Sequence, residues 1–80
     1  MTILEKAAIE CGFKNEEYRL ALPDSVLKNT KENRRILDES HTDLYETLIK
    51  LMSAFRLGNI EEEQIQQKEF QVLYCYYEDY

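Results

Sequence analysis

A chain of 80 residues with a net charge of −6 and 44% hydrophobic residues makes at most one domain, near the lower size at which an apolar core suffices without a metal, disulfides or a partner. No apolar run approaches the roughly 20 residues that a membrane span needs, and Met1-Thr2-Ile3-Leu4-Glu5 lacks the basic-then-apolar order of a signal peptide. The expectation is a single cytoplasmic domain over residues 1–80, not associated with membranes.

The first predicted helix starts at the capping-box pair Thr2 and Glu5 and keeps helical spacing through Ile3, Leu4, Ala7, Ala8 and Cys11. Gly12 is its stop, with Phe13 folding back as the apolar follower. From Asn15 to Leu22 two patterns compete: Asn15-Glu16-Glu17 caps a short helix, whereas Tyr18, Leu20 and Leu22 alternate as in a strand. Pro23 ends either one, because the residue before proline avoids helical geometry. Asp24 or Ser25 then caps a helix through Val26, Leu27, Ile36 and Leu37.

Weak helix formers and potential caps crowd the interval Asp38 to Asp43, which predicts a break there. The competing pattern is one unbroken apolar seam through Leu37, His41, Leu44, Leu48, Leu51 and Phe55. Residues 43–57 form the central predicted helix, since Leu44, Tyr45, Leu48, Ile49, Leu51, Met52 and Phe55 cover more than a third of its circumference. Gly58 stops it, and Asn59 with Glu62 opens the next as a capping box, with Glu61, Glu62 and Glu63 in the first turn. So short a connection implies an antiparallel helical hairpin of residues 43–57 and 60–77. The β-branched and aromatic run Phe70 to Tyr77 leaves a strand as the alternative for its end. The fold class is therefore all-α, a small bundle of about four helices.

Ala8, Cys11-Gly12-Phe13 and Tyr18, within Leu4 to Tyr18, resemble the second helix-turn-helix of AraC-type transcription regulators. The resemblance covers about fifteen residues and implies a DNA-associated regulator reading DNA through residues 3–22. Three residues depart from it: Glu16 and Glu17 fall where the recognition helix meets the DNA backbone, and Pro23 truncates that helix.

Charge is distributed unevenly. Residues 1–35 carry seven basic and six acidic groups, and residues 36–80 carry three basic and ten acidic. An acidic C-terminal half repels phosphate and attracts basic surfaces, which argues against direct nucleic-acid contact and for a protein partner with a basic surface. The one basic cluster, Lys28, Lys31, Arg34 and Arg35, has this acidic half as its ready counterpart. Catalytic and cofactor signatures are absent: His41 is the lone histidine, Ser40 beside it would not face it on a helix, and two glycines build no phosphate loop. Cys11 and Cys75 lie far apart among apolar neighbours without C-x-x-C spacing, which points to reduced, buried thiols.

Four of six tyrosines fall in the last seven residues. Phe70, Tyr74 and Tyr77 share one helical face, whereas Val72 and Tyr76 lie on another, and a helix aromatic on two sides has more to bury than one small core accepts. Phe70, Tyr74, Tyr76, Tyr77 and Tyr80, with Glu61, Glu62 and Glu63, are accordingly the candidate partner-binding residues. The expected function is that of a small acidic non-enzymatic interaction module, an inhibitor or adaptor of bacterial, phage or mobile-element origin, with homodimerisation as one form of the contact. The alternatives are the DNA-associated regulator and an accessory subunit of an enzyme complex.

Overall fold

In the computed structural model the described residues are 3–20, 22–32 and 41–78, with the side chains of 29–32 and 78 left aside. They form four α-helices, α1 (Ile3–Glu10), α2 (Asp24–Glu32), α3 (Thr42–Arg56) and α4 (Ile60–Glu78), and a 3₁₀ turn at Glu17–Leu20. The all-α bundle expected from the periodicity is the fold observed. Thr2, residues 33–40 and Tyr80 lie outside the described residues, and with them the first capping box, Ile36, Leu37, Arg34 and Arg35.

Leucines at 44, 48 and 51 with Met52 give α3 a stripe wide enough for two neighbours, and all four side chains are fully buried. It packs most extensively on α4 and next on α1. From α1 the core receives Ile3, Leu4, Ala7 and Ala8, where the two alanines let the helix approach closely; Phe70 and Tyr74 enter from α4, Val26 from α2. Thr47, buried in this stripe, turns its hydroxyl back onto the Asp43 carbonyl at 2.8 Å, so its own donor is met.

Both glycines close helices in the same way. Gly12 takes φ +83, donates to the Ile9 carbonyl at 3.0 Å, and lets Phe13 donate to the Ala8 carbonyl at 2.9 Å. Gly58, at φ +71, donates to Phe55 while Asn59 donates to Ala54. In each case a left-handed glycine turns the chain so that two orphan carbonyls are satisfied. Asn59 also opens α4, its Oδ1 accepting the Glu62 amide at 3.2 Å. The capping box is only half made, because the Glu62 carboxylate accepts from Gln66 Nε2 instead of reaching back.

Four sequence expectations need correction or resolution. Of the two patterns between Asn15 and Leu22 the short helix is the one formed, as a 3₁₀ helix at Glu17–Leu20, not the strand: Tyr18 and Leu22 are buried four apart, Leu20 between them is exposed, and the Leu22 amide donates to the Tyr18 carbonyl. Asp24 lies inside α2 rather than capping it, since the Pro23 carbonyl accepts the first helical bonds, from Val26 and Leu27. The seam running unbroken through His41 is not formed, because His41 has φ −84 and ψ 73 and α3 begins only at Thr42. The strand alternative for residues 70–77 is also not realised; the helix continues because Phe70, Leu73, Tyr74 and Tyr77 step by three and four onto the core.

Replacing Leu48 by alanine is expected to cost about 2–5 kcal/mol in denaturant unfolding, since the site is fully enclosed. The glycines separate by their surroundings. A Cβ at Gly58 meets nothing within 4 Å, whereas one at Gly12 comes within 2.9 Å of Arg56 Nη1. Gly58→Ala should cost about 1 kcal/mol of left-handed strain. Gly12→Ala should cost more, and the excess should vanish in an Arg56→Ala background.

Candidate protein interaction surface

At about 3.6 residues per turn, α4 divides into two arcs. Gln66, Phe70 and Tyr74 are buried on the inner arc, with Leu73 and Tyr77 half-buried beside them. On the outer arc Ile65, Val72 and Tyr76 are aligned and remain 47%, 69% and 61% exposed. Charged residues share this side with them, Glu61 in the first turn and Lys68 and Glu69 between Ile65 and Val72. The outer line thus leaves Ile65, Val72 and Tyr76 in water with Glu69 interposed, exposed apolar side chains of the kind that contact sites use.

The candidate residues named from the sequence fall into separate places. Phe70 and Tyr74 are taken up by the core, their rings stacked at 6.2 Å. Tyr76 stands on the exposed arc, edge-on to Tyr77 at 5.5 Å. Tyr77 turns toward the start of α3, where its ring meets His41 in a T-shaped contact at 4.7 Å and its hydroxyl lies 3.5 Å from Asp43 Oδ2. This contact, with the Leu57–Asn59 turn at the other end, lays the end of α4 beside the start of α3, as an antiparallel hairpin requires. Glu61 is exposed, and Glu62 and Glu63 are half-buried in the first turn of α4. Ile65 and Val72 were missing from the candidates read from the sequence. Their signal was available, since Ile65, Val72 and Tyr76 repeat at helical spacing opposite Phe70 and Tyr74.

Partial burial, followed by the Asp43 carboxylate, raises the Tyr77 phenol above its ordinary value. A raised phenol contributes stability below the unfolded value of about 10, lost as pH rises through the folded value. His41 Nδ1 and Gln66 Oε1 are buried without a hydrogen-bond partner among the described residues. The histidine's ring is used for packing on Tyr77.

At the opposite end of the bundle Arg56 donates to the Cys11 carbonyl at 3.0 Å and lies 5.6 Å from the centre of the Phe13 ring, itself 6.3 Å from Phe55. Cys11 Sγ is 3.5 Å from both the Ile49 carbonyl and Ser53 Oγ. It is half-buried as a packing residue, whereas Cys75 is exposed on α4, contrary to the expectation that both thiols are buried. A pocket of about 240 Å³ lies against α1, lined by Ala8, Ile9, Phe13 and Tyr18 with Glu5, Asn15 and Glu16 at its rim. It is smaller than the usual small-molecule site of about 300–1,000 Å³, and Glu16 already pairs with Arg19 at 3.5 Å.

The segment resembling a helix-turn-helix has α1 and the Gly12 turn in place, but the four-residue 3₁₀ turn at Glu17–Leu20 stands where a recognition helix would be, with Tyr18 buried. Among the described residues no group of three His, Cys, Asp or Glu side chains is placed to hold a metal, and no helix is long and apolar enough to cross a membrane. No family model matches the chain, and no curated protein or solved structure matches it either.

The pairing at the start of α3 is testable by alkaline absorbance titration. Asp43→Asn should move one phenol back toward the ordinary value of about 10; an unchanged titration curve would mean that the carboxylate does not act on Tyr77.

Proposed function

We propose that the chain is a small non-enzymatic protein–protein interaction module that meets its partner through the outer face of α4. The observation that carries this reading is the division of α4. One arc holds the core together through Phe70 and Tyr74, and the opposite arc leaves Ile65 and Val72 largely in water, with Tyr76 exposed beside Tyr77. Side chains that add little to folding and leave apolar area in water are retained at a cost in solubility, and contact with another surface accounts for them. The net charge of −6 keeps such a face soluble until it is occupied and favours a partner with a basic surface. Blocking or bridging a partner, as an inhibitor or an adaptor does, requires no more than this.

Val72→Asp and Tyr76→Ala test the reading, because surface substitutions of this kind usually change stability by no more than about 0.5 kcal/mol, while loss of an interface aromatic commonly weakens binding by about 1–2 kcal/mol. Wild type and both variants serve as bait in affinity capture from the native cell, alongside thermal melts. The expected result is unchanged melting with loss of the proteins that wild type retains. Equal capture by all three would remove α4's outer face as the contact surface.

A further inference from the structure

Glu62, Ile65, Glu69, Val72 and Tyr76 follow one another along α4 in steps of three and four, the spacing at which a second helix packs alongside. Carboxylates and apolar groups alternate on this line: Glu62 and Glu69 are two turns apart, and so are Ile65 and Val72. Glu69 is exposed; Glu62 is half-buried, with one oxygen accepting the Gln66 amide at 2.8 Å. Lys68 and Glu61 lie on the far flank of the line, two turns apart.

This alternation discriminates between occupants. A second copy in parallel register lays Glu62 on Glu62 and Glu69 on Glu69, and an antiparallel copy lays each carboxylate against an apolar residue. Either arrangement desolvates a carboxylate without a counter-charge, in molecules that each carry −6. Resting on the reading of α4's outer face as the contact surface, we infer that its occupant is an amphipathic helix of another protein. That helix sets lysine or arginine against Glu62 and Glu69 and apolar side chains against Ile65 and Val72. Charge pairs at the seam then fix register and exclude self-pairing, while the apolar layers supply contact area.

Two fluorescein-labelled helical peptides of about three heptads test this with the full chain: one alternates leucine and lysine along its seam, and its twin has glutamate in place of each lysine. By fluorescence anisotropy the lysine peptide should bind at least about tenfold more tightly than the glutamate twin. Val72→Asp and Glu69→Lys should each weaken it by about tenfold. Glu46→Lys makes the same charge change at an exposed position of α3 and should leave binding within about twofold. Equal binding of the two peptides, binding of neither, or equal losses in Glu69→Lys and Glu46→Lys would overturn the inference, the last because net charge alone would then explain the binding. The two readings also fail separately. If a protein captured from the cell is lost with Val72→Asp but retained with Glu69→Lys, the α4 face stands as the contact surface and the basic helix is overturned.

Discussion

The packing of α4 and α1 against one helix, α3, is the constraint on which the other elements depend. Leu44, Leu48, Leu51 and Met52 are completely withdrawn from water, and each contributes roughly 1.5–3 kcal/mol relative to exposure. An 80-residue chain has room for one such centre. Every other element is placed by how it covers α3: α1 comes close through two alanines, α4 lays Phe70 and Tyr74 across it, and α2 adds Val26 at the edge. With α3 covered by both neighbours, apolar residues facing away from it on α4 have nothing among the described residues to bury them. Their exposure is in this sense a consequence of core size, since a second arc of hydrophobic side chains exceeds what a single central helix can accept.

The parts of the fold governed by local backbone chemistry were legible in the sequence. Gly12 and Gly58 announce helix ends because only glycine enters the left-handed region cheaply, and Asn59 announces a start because its side chain accepts an orphan amide. The long-period stripe of α3 was equally plain. Legibility failed where tertiary packing overrides local preference. Tyr18, Leu20 and Leu22 alternate on paper, yet the chain buries Tyr18 and Leu22 together by adopting a 3₁₀ turn that leaves Leu20 out. At the aromatic run from Phe70 composition allows a strand, but the spacing already points to the helix that is formed, which offers Phe70, Tyr74 and Tyr77 to the core together. For the candidate surface, the sequence showed that α4 is apolar on two sides without showing which side α3 would take. Phe70 and Tyr74 were therefore named together with Tyr76, and only the packing separates the rings spent on the core from the one that is not.

At the junction of the two glycine turns, Arg56 contacts the Cys11 carbonyl at the end of α1 and occupies the last turn of α3. Both helices end in partial negative charge, so one guanidinium near the two ends complements two macrodipoles. In thermodynamic terms it makes the end of α1 and the tip of the α3–α4 hairpin a single opening unit. Fraying of the Gly12 turn leaves Arg56 with one helix end instead of two, and unwinding of the last turn of α3 removes the cation that screens α1. Opening at either place therefore breaks one and the same contact, made across 45 residues of sequence by a side chain that lies on the surface.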